Sequence, residues 1–335
     1  MKVDGGLFAG SYEEIPARIA ELEALGYDGA LSAETSSDPF FPLLLAAEHS
    51  ERIELITSIA VAFARTPMLL AQVGHDLNRY SRGRFVLGLG SQIRPHITKR
   101  FSMPWSHPAA RMREFIEAMR AIWACWYDGQ KLDFRGEFYT HTLMTPMFTP
   151  TDRRFGAPRV FLAAVGPRMT RVAGEVADGL IAHAFTTPRY LREVTLPAIE
   201  EGLAASGRSR SDFEISCPVF VVTGKDEKTW EASRTGVSRQ IAFYGSTPAY
   251  RGVLERHGWG DLQPELNAMS KRGEWEAMGT RITDEMLEEF AIVAQPHEVV
   301  SRLRERFEGC LDRVTYAPMG GDRDQTRAAL EALRK

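Results

Sequence analysis

Short apolar runs alternate with amphipathic helical stretches along nearly the whole chain. The first unit shows the pattern, because residues 3–8 form a short apolar run and residues 15–25 place apolar side chains at helical spacing. Ser11, followed three residues later by Glu14, predicts a capping box at the start of this helix. Gly26 predicts a left-handed stop at its end. Repetition of this unit is typical of parallel α/β architecture.

Eight strand-like runs follow one another along the chain. They are predicted at residues 3–8, 27–33, 53–61, 84–89, 159–164, 179–183, 213–222 and 313–316. Helices are predicted between them near residues 43–49, after the Thr66-Pro67 cap, and near 112–126, 167–177, 189–205, 226–243, 295–307 and 322–334. Eight strands favour a closed (β/α)8 TIM barrel. An open sheet is the alternative fold, because periodicity does not reveal closure.

Three segments depart from the repeat, and the chain is expected to be one domain, residues 1–335, with these segments as insertions. The segment from about residue 92 to 108 is predicted to be a loop. The segment from about residue 131 to 158 is predicted to be a hairpin or an excursion over the barrel rim. Residues of about 244–290 carry several short pieces rich in Gly, Trp and Met, which makes them the best candidate for a mobile lid.

Composition narrows the possible partners. The 335 residues are 44% apolar and 25% charged with a formal net charge of -3, so there is no basic excess to attract nucleic acid. No apolar run approaches the roughly 20 residues of a membrane span, and the amino terminus lacks a secretory apolar region, so we expect a cytoplasmic protein with no membrane contact. Cys125, Cys217 and Cys310 are far apart and predict reduced packing thiols, and no metal-binding motif is present.

In a barrel of this kind, ligands bind at the carboxyl ends of the strands. Residues 163–169 combine small residues with a helix start, which suits a phosphate, although an ordinary turn has the same composition. Residues 88–92 contain two glycines at a strand end that could admit a flat ring. They lack the third glycine of a dinucleotide-binding fingerprint.

Other candidate side chains follow predicted strands. Glu34 could orient a ring or move a proton, and a solvated loop acid is the alternative interpretation. His183 is the histidine best placed for catalysis, because it lies at a predicted strand end. Phe63, Trp105 and Phe185 would form an aromatic rim in contact with substrate, with core packing as the competing interpretation.

Over essentially its full length the chain resembles the luciferase-like oxidoreductases, and within them the coenzyme F420-dependent members similar to methylenetetrahydromethanopterin reductase. The segments that carry the resemblance are Gly26-Tyr27-Asp28-Gly29, Thr57-Ser58-Ile59 with Arg65-Thr66-Pro67, Gly83 to Ser91, and Gly166-Pro167-Arg168 with Ala173-Gly174 and Ala177-Asp178-Gly179. Their order and spacing together are fairly specific.

The resemblance implies a deazaflavin site at the barrel mouth. In that family, a bulge with a non-prolyl cis peptide lies against the ring. Other positions contact the ring edge and the phosphate, and an acidic residue follows the second strand. These positions are Ser58 and Ile59 for the bulge, Gly90, Ser91 and Gln92 for the ring edge, Ala164, Val165 and Gly166 for the phosphate, and Glu34 for the acid, with Pro167 and Met169 as further cofactor contacts.

The position after Glu34 is often His in the sugar-phosphate branch of that family, but it is Thr35 here. We therefore do not expect a sugar phosphate as substrate. The resemblance implies hydride transfer between coenzyme F420 and a small organic substrate, in a homodimer. An FMN-dependent monooxygenase and a non-catalytic deazaflavin-binding protein are the alternatives.

Overall fold

Eight short parallel strands form the centre of the molecule in the computed structural model, which describes residues 1–8, 10–316 and 323–334. The strands are β1 Lys2–Gly6, β2 Gly29–Ser32, β3 Glu54–Thr57, β4 Phe85–Gly90, β5 Arg159–Ala164, β6 Gly179–Ala182, β7 Glu214–Pro218 and β8 Arg313–Thr315. Each strand pairs in parallel with the next, and β8 pairs with β1. The sheet is therefore closed, which confirms the (β/α)8 barrel and rules out the open sheet.

Eight helices surround the barrel. They are α1 Ile15–Leu25, α2 Phe40–Glu48, α3 Pro67–Tyr80, α4 Pro108–Asp128, α5 Pro167–Val176, α6 Leu196–Ser206, α7 Val299–Phe307 and α8 Arg323–Arg334. The Thr66 cap is confirmed, because its hydroxyl accepts from the amide of Leu69. Gly26 ends α1 in the left-handed conformation with a φ of 95°, which confirms the prediction for this residue. The capping box was wrong: Ser11 makes no capping hydrogen bond, and the Glu14 carboxylate accepts from the amide of Gly10 at 2.8 Å.

A charged layer closes the barrel at the amino ends of its strands. The Arg313 guanidinium is fully buried and donates to Asp4 at 2.6 and 2.8 Å. It also donates to Glu54 and Glu214 at 2.7 and 2.9 Å. Burial raises the pKa of the Asp4 carboxyl even though the guanidinium opposes this effect. An apolar layer follows within the barrel, made of Leu31, Ile56, Val86, Phe161 and Ile181.

The segment at residues 131–158 contains a short antiparallel hairpin, Phe134–Arg135 with Thr140–His141, which confirms the predicted hairpin. The hairpin is attached to α4, because the buried Glu114 carboxylate accepts from three consecutive amides, those of Glu137, Phe138 and Tyr139, at 2.6 to 2.9 Å. Gly136 permits this contact, because a Cβ there would lie 2.1 Å from a Glu114 oxygen.

The large insertion between β7 and α7 has its own apolar core. The predicted seventh strand was too long, because β7 ends at Pro218 and Phe220–Val222 pairs with Ala291–Val293 in a separate two-stranded sheet. The insertion helix Glu227–Gly245 begins with a capping box at Asp226. Four further helices span the segment predicted as a lid: Arg251–Glu255, Leu262–Lys271, Trp275–Gly279 and Asp284–Phe290. They pack around buried side chains such as Ile241, Leu266 and Phe290.

Candidate active site

A cavity of about 1140 Å³ opens at the carboxyl ends of the strands. It brings together the loops after β3, β4, β5 and β6 with the start of α4 and part of the large insertion. The lining residues are Ser58, Ile59, Gly90 to Arg94, Trp105, His107 to Ala110, Ala163 to Met169, Ile181 to Ala184, Pro218, Tyr244, Ala249 and Tyr250.

The wall of the cavity beside β3 is a bulge in the chain. β3 ends at Thr57, the Ser58–Ile59 peptide is cis, and residues 60–61 then resume pairing with β4. The predicted third strand, residues 53–61, is thus interrupted at the position that the resemblance indicated. The bulge packs closely on β4, because a Cβ at Gly90 would lie 2.8 Å from the Ile59 Cδ1 atom. A larger residue at this position would therefore displace the Ile59 side chain.

Glu34 holds this bulge from behind. Its backbone amide donates to the carbonyl of Ile59 at 3.2 Å, and its carboxylate accepts from the amide of Val61 at 2.7 Å. The same carboxylate oxygen accepts from Arg65 at 2.7 Å, and Arg65 also donates to Asp38 at 2.8 Å. The Glu34 side chain is only 6% exposed and does not line the cavity. Its geometry is that of a positioning residue.

The loop after β5 leads directly into the amino terminus of α5. Gly166 is the N-cap and Pro167 the first helical residue, as predicted. The first intrahelical bond runs from Thr170 to the Gly166 carbonyl, which leaves the amides of Arg168 and Met169 without an intrahelical acceptor. Apart from its chain neighbours, no described residue has an atom within 4 Å of the place where a Gly166 Cβ would sit, and Gly166, Arg168 and Met169 all line the cavity.

The loop after β4 forms the adjacent side of the cavity. Gln92 has a φ of 60°, and its side-chain oxygen accepts from the amide of Ile93 at 3.0 Å, which fixes the turn. Ser91 donates to the Gln92 carbonyl at 3.1 Å. Trp105, on the insertion that follows, is half-buried and reaches the cavity as expected. The three loops that carry Ser58, Ser91 and Gly166 therefore meet around one cavity.

Two of the three predicted substrate contacts do not reach the cavity. Phe63 is 1% exposed and packs edge to face with Trp105 at 5.7 Å between ring centroids. Phe185 is fully buried in the insertion core and stacks on Phe290 at 4.6 Å. Both rings lie within apolar clusters, which agrees with the competing interpretation of core packing. We do not retain Phe63 and Phe185 as substrate contacts.

His183 does line the cavity, between two tyrosines that the sequence did not single out. Its ring centroid lies 4.4 Å from that of Tyr244 and 4.7 Å from that of Tyr250. Burial lowers the pKa of His183 to about 4. Both tyrosines come from the segment predicted as a lid, and their alignment with a residue some 60 positions earlier depends on tertiary packing.

The cavity has a marked electrostatic character. Among the described residues, its lining contains Arg94, Arg168 and two histidines but no aspartate or glutamate. Within the described part of the chain, neither Arg94 nor Arg168 takes part in an ion pair. Among the described residues there is also no cluster of His, Cys, Asp or Glu that could hold a metal ion. The arrangement suits an anionic, partly flat ligand.

Comparison with known proteins decides the family. The family model described as luciferase-like monooxygenase matches residues 2–313. The chain belongs to the luciferase-like family. It is therefore an enzyme, and the non-catalytic alternative is not retained. Within residues 1–8, 10–316 and 323–334, no helix is long and apolar enough to cross a membrane.

Relatives of this luciferase-like chain include both uncharacterised and named proteins. An uncharacterised protein of Mycobacterium tuberculosis is 57% identical over 335 residues, which cover 100% of this chain and 98% of the relative. The 5,10-methylenetetrahydromethanopterin reductase of Archaeoglobus fulgidus is 28% identical over 320 residues, which cover 93% and 91%. The coenzyme F420-dependent tetrahydromethanopterin reductase of Methanopyrus kandleri shares the fold with a TM-score of 0.78 at 22% identity, covering 99% of this chain and 96% of that one.

Proposed function

We propose that this enzyme transfers a hydride between coenzyme F420 and a small organic substrate. The observation that carries the proposal is the meeting of the bulge at Ser58, the turn at Ser91 and the helix start at Gly166 around one cavity. Two related reductases support this cofactor. The relative from Archaeoglobus fulgidus is named a 5,10-methylenetetrahydromethanopterin reductase. The tetrahydromethanopterin reductase of Methanopyrus kandleri, which shares the fold, is described as coenzyme F420-dependent.

The residues around the cavity fit the ring of a deazaflavin. Ile59, Ala163 and Ala164 line the cavity with apolar groups, against which a planar ring could lie. Gly90 and Ser91 lie at the neighbouring strand end and would meet the ring edge. When bound, coenzyme F420 supplies two-electron hydride chemistry at C5 of its ring and does not readily activate oxygen.

The start of α5 fits the phosphate of the same cofactor. Free amides at a helix start, with the helix dipole behind them, attract an anion. Gly166 adds room, because its missing side chain leaves the approach to Arg168 and Met169 open. The side chains of Arg94 and Arg168 reach the same cavity and would add positive charge at its mouth.

Cofactor titration tests this proposal. We expect saturable binding of coenzyme F420 and no tight binding of FMN. The variant Gly166→Asp places a carboxylate beside the phosphate position and should weaken coenzyme F420 binding at least tenfold. Gly236→Asp is the matched control, because Gly236 lies on the insertion helix with open space around it and should leave binding unchanged. Tight FMN binding with oxygen-dependent turnover and no affinity for coenzyme F420 would instead establish the monooxygenase alternative.

We also propose that the enzyme is a cytoplasmic homodimer. Exposed apolar side chains on two adjacent helices support the dimer, namely Phe41 and Leu44 of α2 and Leu69 and Tyr80 of α3. Light scattering at micromolar concentration should give twice the mass of 37.5 kDa calculated for one chain. A single-chain mass at that concentration would contradict the dimer.

A further inference from the structure

His183 presents one ring nitrogen to the cavity as a hydrogen-bond donor. Its Nδ1 accepts from the backbone amide of Phe185 at 3.0 Å, so the lone pair of Nδ1 is occupied. Burial keeps the imidazole neutral at physiological pH, since its pKa is lowered to about 4. The single ring hydrogen of this neutral form is therefore on Nε2. Among the described residues, no group accepts a hydrogen bond from Nε2.

The surroundings of this donor are aromatic and apolar. Tyr244 meets the imidazole edge to face, and Tyr250 lies against it at an angle of 41° between ring planes. The hydroxyl of Tyr244 accepts a hydrogen bond from Gln240 at 3.0 Å. Pro218 and Ala249 complete this part of the lining. A flat organic group that packs against these rings would cost little conformational freedom in the aromatic walls.

The charge of the lining restricts the substrate further. A cationic substrate would find no carboxylate partner among the described residues that line the cavity. Directly beside His183, an anionic group would meet a neutral imidazole and two aromatic rings, which carry no positive charge to offset its lost hydration. We therefore expect the part of the substrate that lies against His183 to be uncharged.

We propose that this subsite binds an uncharged, flat carbonyl compound, such as an aromatic aldehyde or ketone, whose oxygen accepts a hydrogen bond from His183 Nε2. This inference rests on the proposed function. In the reduction, the carbonyl carbon would gain a hydride, with its two electrons, from C5 of the bound reduced deazaflavin, and the C=O π pair would move to the oxygen. The oxygen would then take a proton from water, and the hydroxide left behind would take the ring N–H proton that the oxidised deazaflavin releases. The products are an alcohol and the oxidised deazaflavin, with no net change in water. His183 polarises the carbonyl and steadies the negative oxygen, but it does not give up its proton, because a neutral imidazole is a very weak acid.

The test uses the intact enzyme with reduced coenzyme F420, benzaldehyde, acetophenone, butanal and 2-carboxybenzaldehyde, whose carboxylate lies next to the carbonyl, and it follows the absorbance of the oxidised deazaflavin. We expect benzaldehyde to exceed both butanal and 2-carboxybenzaldehyde in kcat/KM by at least about tenfold, which corresponds to roughly 1.4 kcal/mol. His183→Phe keeps the aromatic ring without the donor and should lower kcat/KM for benzaldehyde by about 10- to 100-fold. His183→Gln, which retains a donor, should recover part of this loss. The dissociation constant for coenzyme F420 should not change in either variant.

The control is His257→Phe, because His257 stacks on Trp259 within the insertion and does not line the cavity. It should leave kcat/KM unchanged. Wild-type turnover in His183→Phe, preference for the carboxylate-bearing aldehyde, or cofactor binding without reduction of any of the four carbonyl compounds would overturn the inference and leave the proposed function standing. Loss of coenzyme F420 affinity in His183→Phe would also overturn it, since the donor would then serve the cofactor. Absence of coenzyme F420 binding to the wild-type enzyme would instead overturn the proposed function itself.

Discussion

Substitution of Glu34 tests whether this residue positions the bulge at Ser58 and Ile59 or takes part in catalysis itself. The carboxylate is 6% exposed and accepts two hydrogen bonds at 2.7 Å, one from the Val61 amide and one from Arg65. Hydrogen bonds to charged groups contribute about 1.5–3 kcal/mol each, and breaking a buried ion pair costs about 3–5 kcal/mol. Arg65 is 18% exposed and keeps Asp38 as a partner, which reduces the penalty. Glu34→Ala should therefore lower the free energy of unfolding by about 2–4 kcal/mol.

Glu34→Gln is the informative companion variant. Its amide oxygen can still accept from the Val61 amide, so only the charge opposite Arg65 is lost. We expect roughly half of the alanine effect on the free energy of unfolding, measured by urea denaturation. Because the Glu34 carboxylate holds the amide of Val61 in the bulge, we also expect weaker coenzyme F420 binding in both variants, with the larger loss in Glu34→Ala. Wild-type stability and wild-type cofactor affinity in Glu34→Gln would refute the positioning role and return Glu34 to the candidates for proton transfer.

Three further predictions concern the helix start, the barrel base and His183. Gly166→Asp should raise the free energy of unfolding by a few tenths of a kcal/mol, since Asp is a better N-cap than Gly, even though the same substitution weakens cofactor binding. A fall in the free energy of unfolding of this variant, measured by urea denaturation, would argue against an open anion site. Arg313→Met should lower the free energy of unfolding by about 3–5 kcal/mol, because it leaves the buried Asp4 charge unpaired. Asp4→Leu in the same chain should restore part of that loss. If the effects of the two substitutions simply added, the coupling between the two residues would be contradicted. The pKa of His183 is about 4 in the folded enzyme and about 6.5 in the unfolded chain, so the unfolded chain binds more protons between these pH values. The free energy of unfolding should therefore fall as the pH is lowered from 6.5 to 4, by at most on the order of 3 kcal/mol. An equal pH dependence in His183→Asn would show that other groups cause it.

The barrel could be predicted from the sequence because its strands are short, apolar and separated by helical stretches. β5 was predicted with its observed bounds, since Arg159–Ala164 is an apolar run between a proline and a glycine-containing turn. The break in the third strand could not be read from hydrophobicity, because Ser58 and Ile59 lie within an apolar run that continues to Val61. Only the family resemblance indicated that position. A cis peptide has no signature in composition or periodicity.

The candidate site was predicted only in part, for a related reason. Residues directly after a strand could be placed at the barrel mouth, which is why Gly166 and His183 line the cavity. Phe63 also follows a strand, but whether a ring points to the cavity or to the core depends on packing against Trp105, which lies on a different segment. Tyr250 illustrates the opposite case, because it reaches the cavity from an insertion whose path cannot be derived from local pattern.

A crystal structure of the enzyme grown with coenzyme F420 tests the central claim most directly. The account predicts the deazaflavin ring against the Ser58–Ile59 peptide, its edge at Ser91, and its phosphate on the amides that follow Gly166. A cofactor bound away from these three loops, or a ring that fills the cavity with its phosphate far from the start of α5, would contradict it.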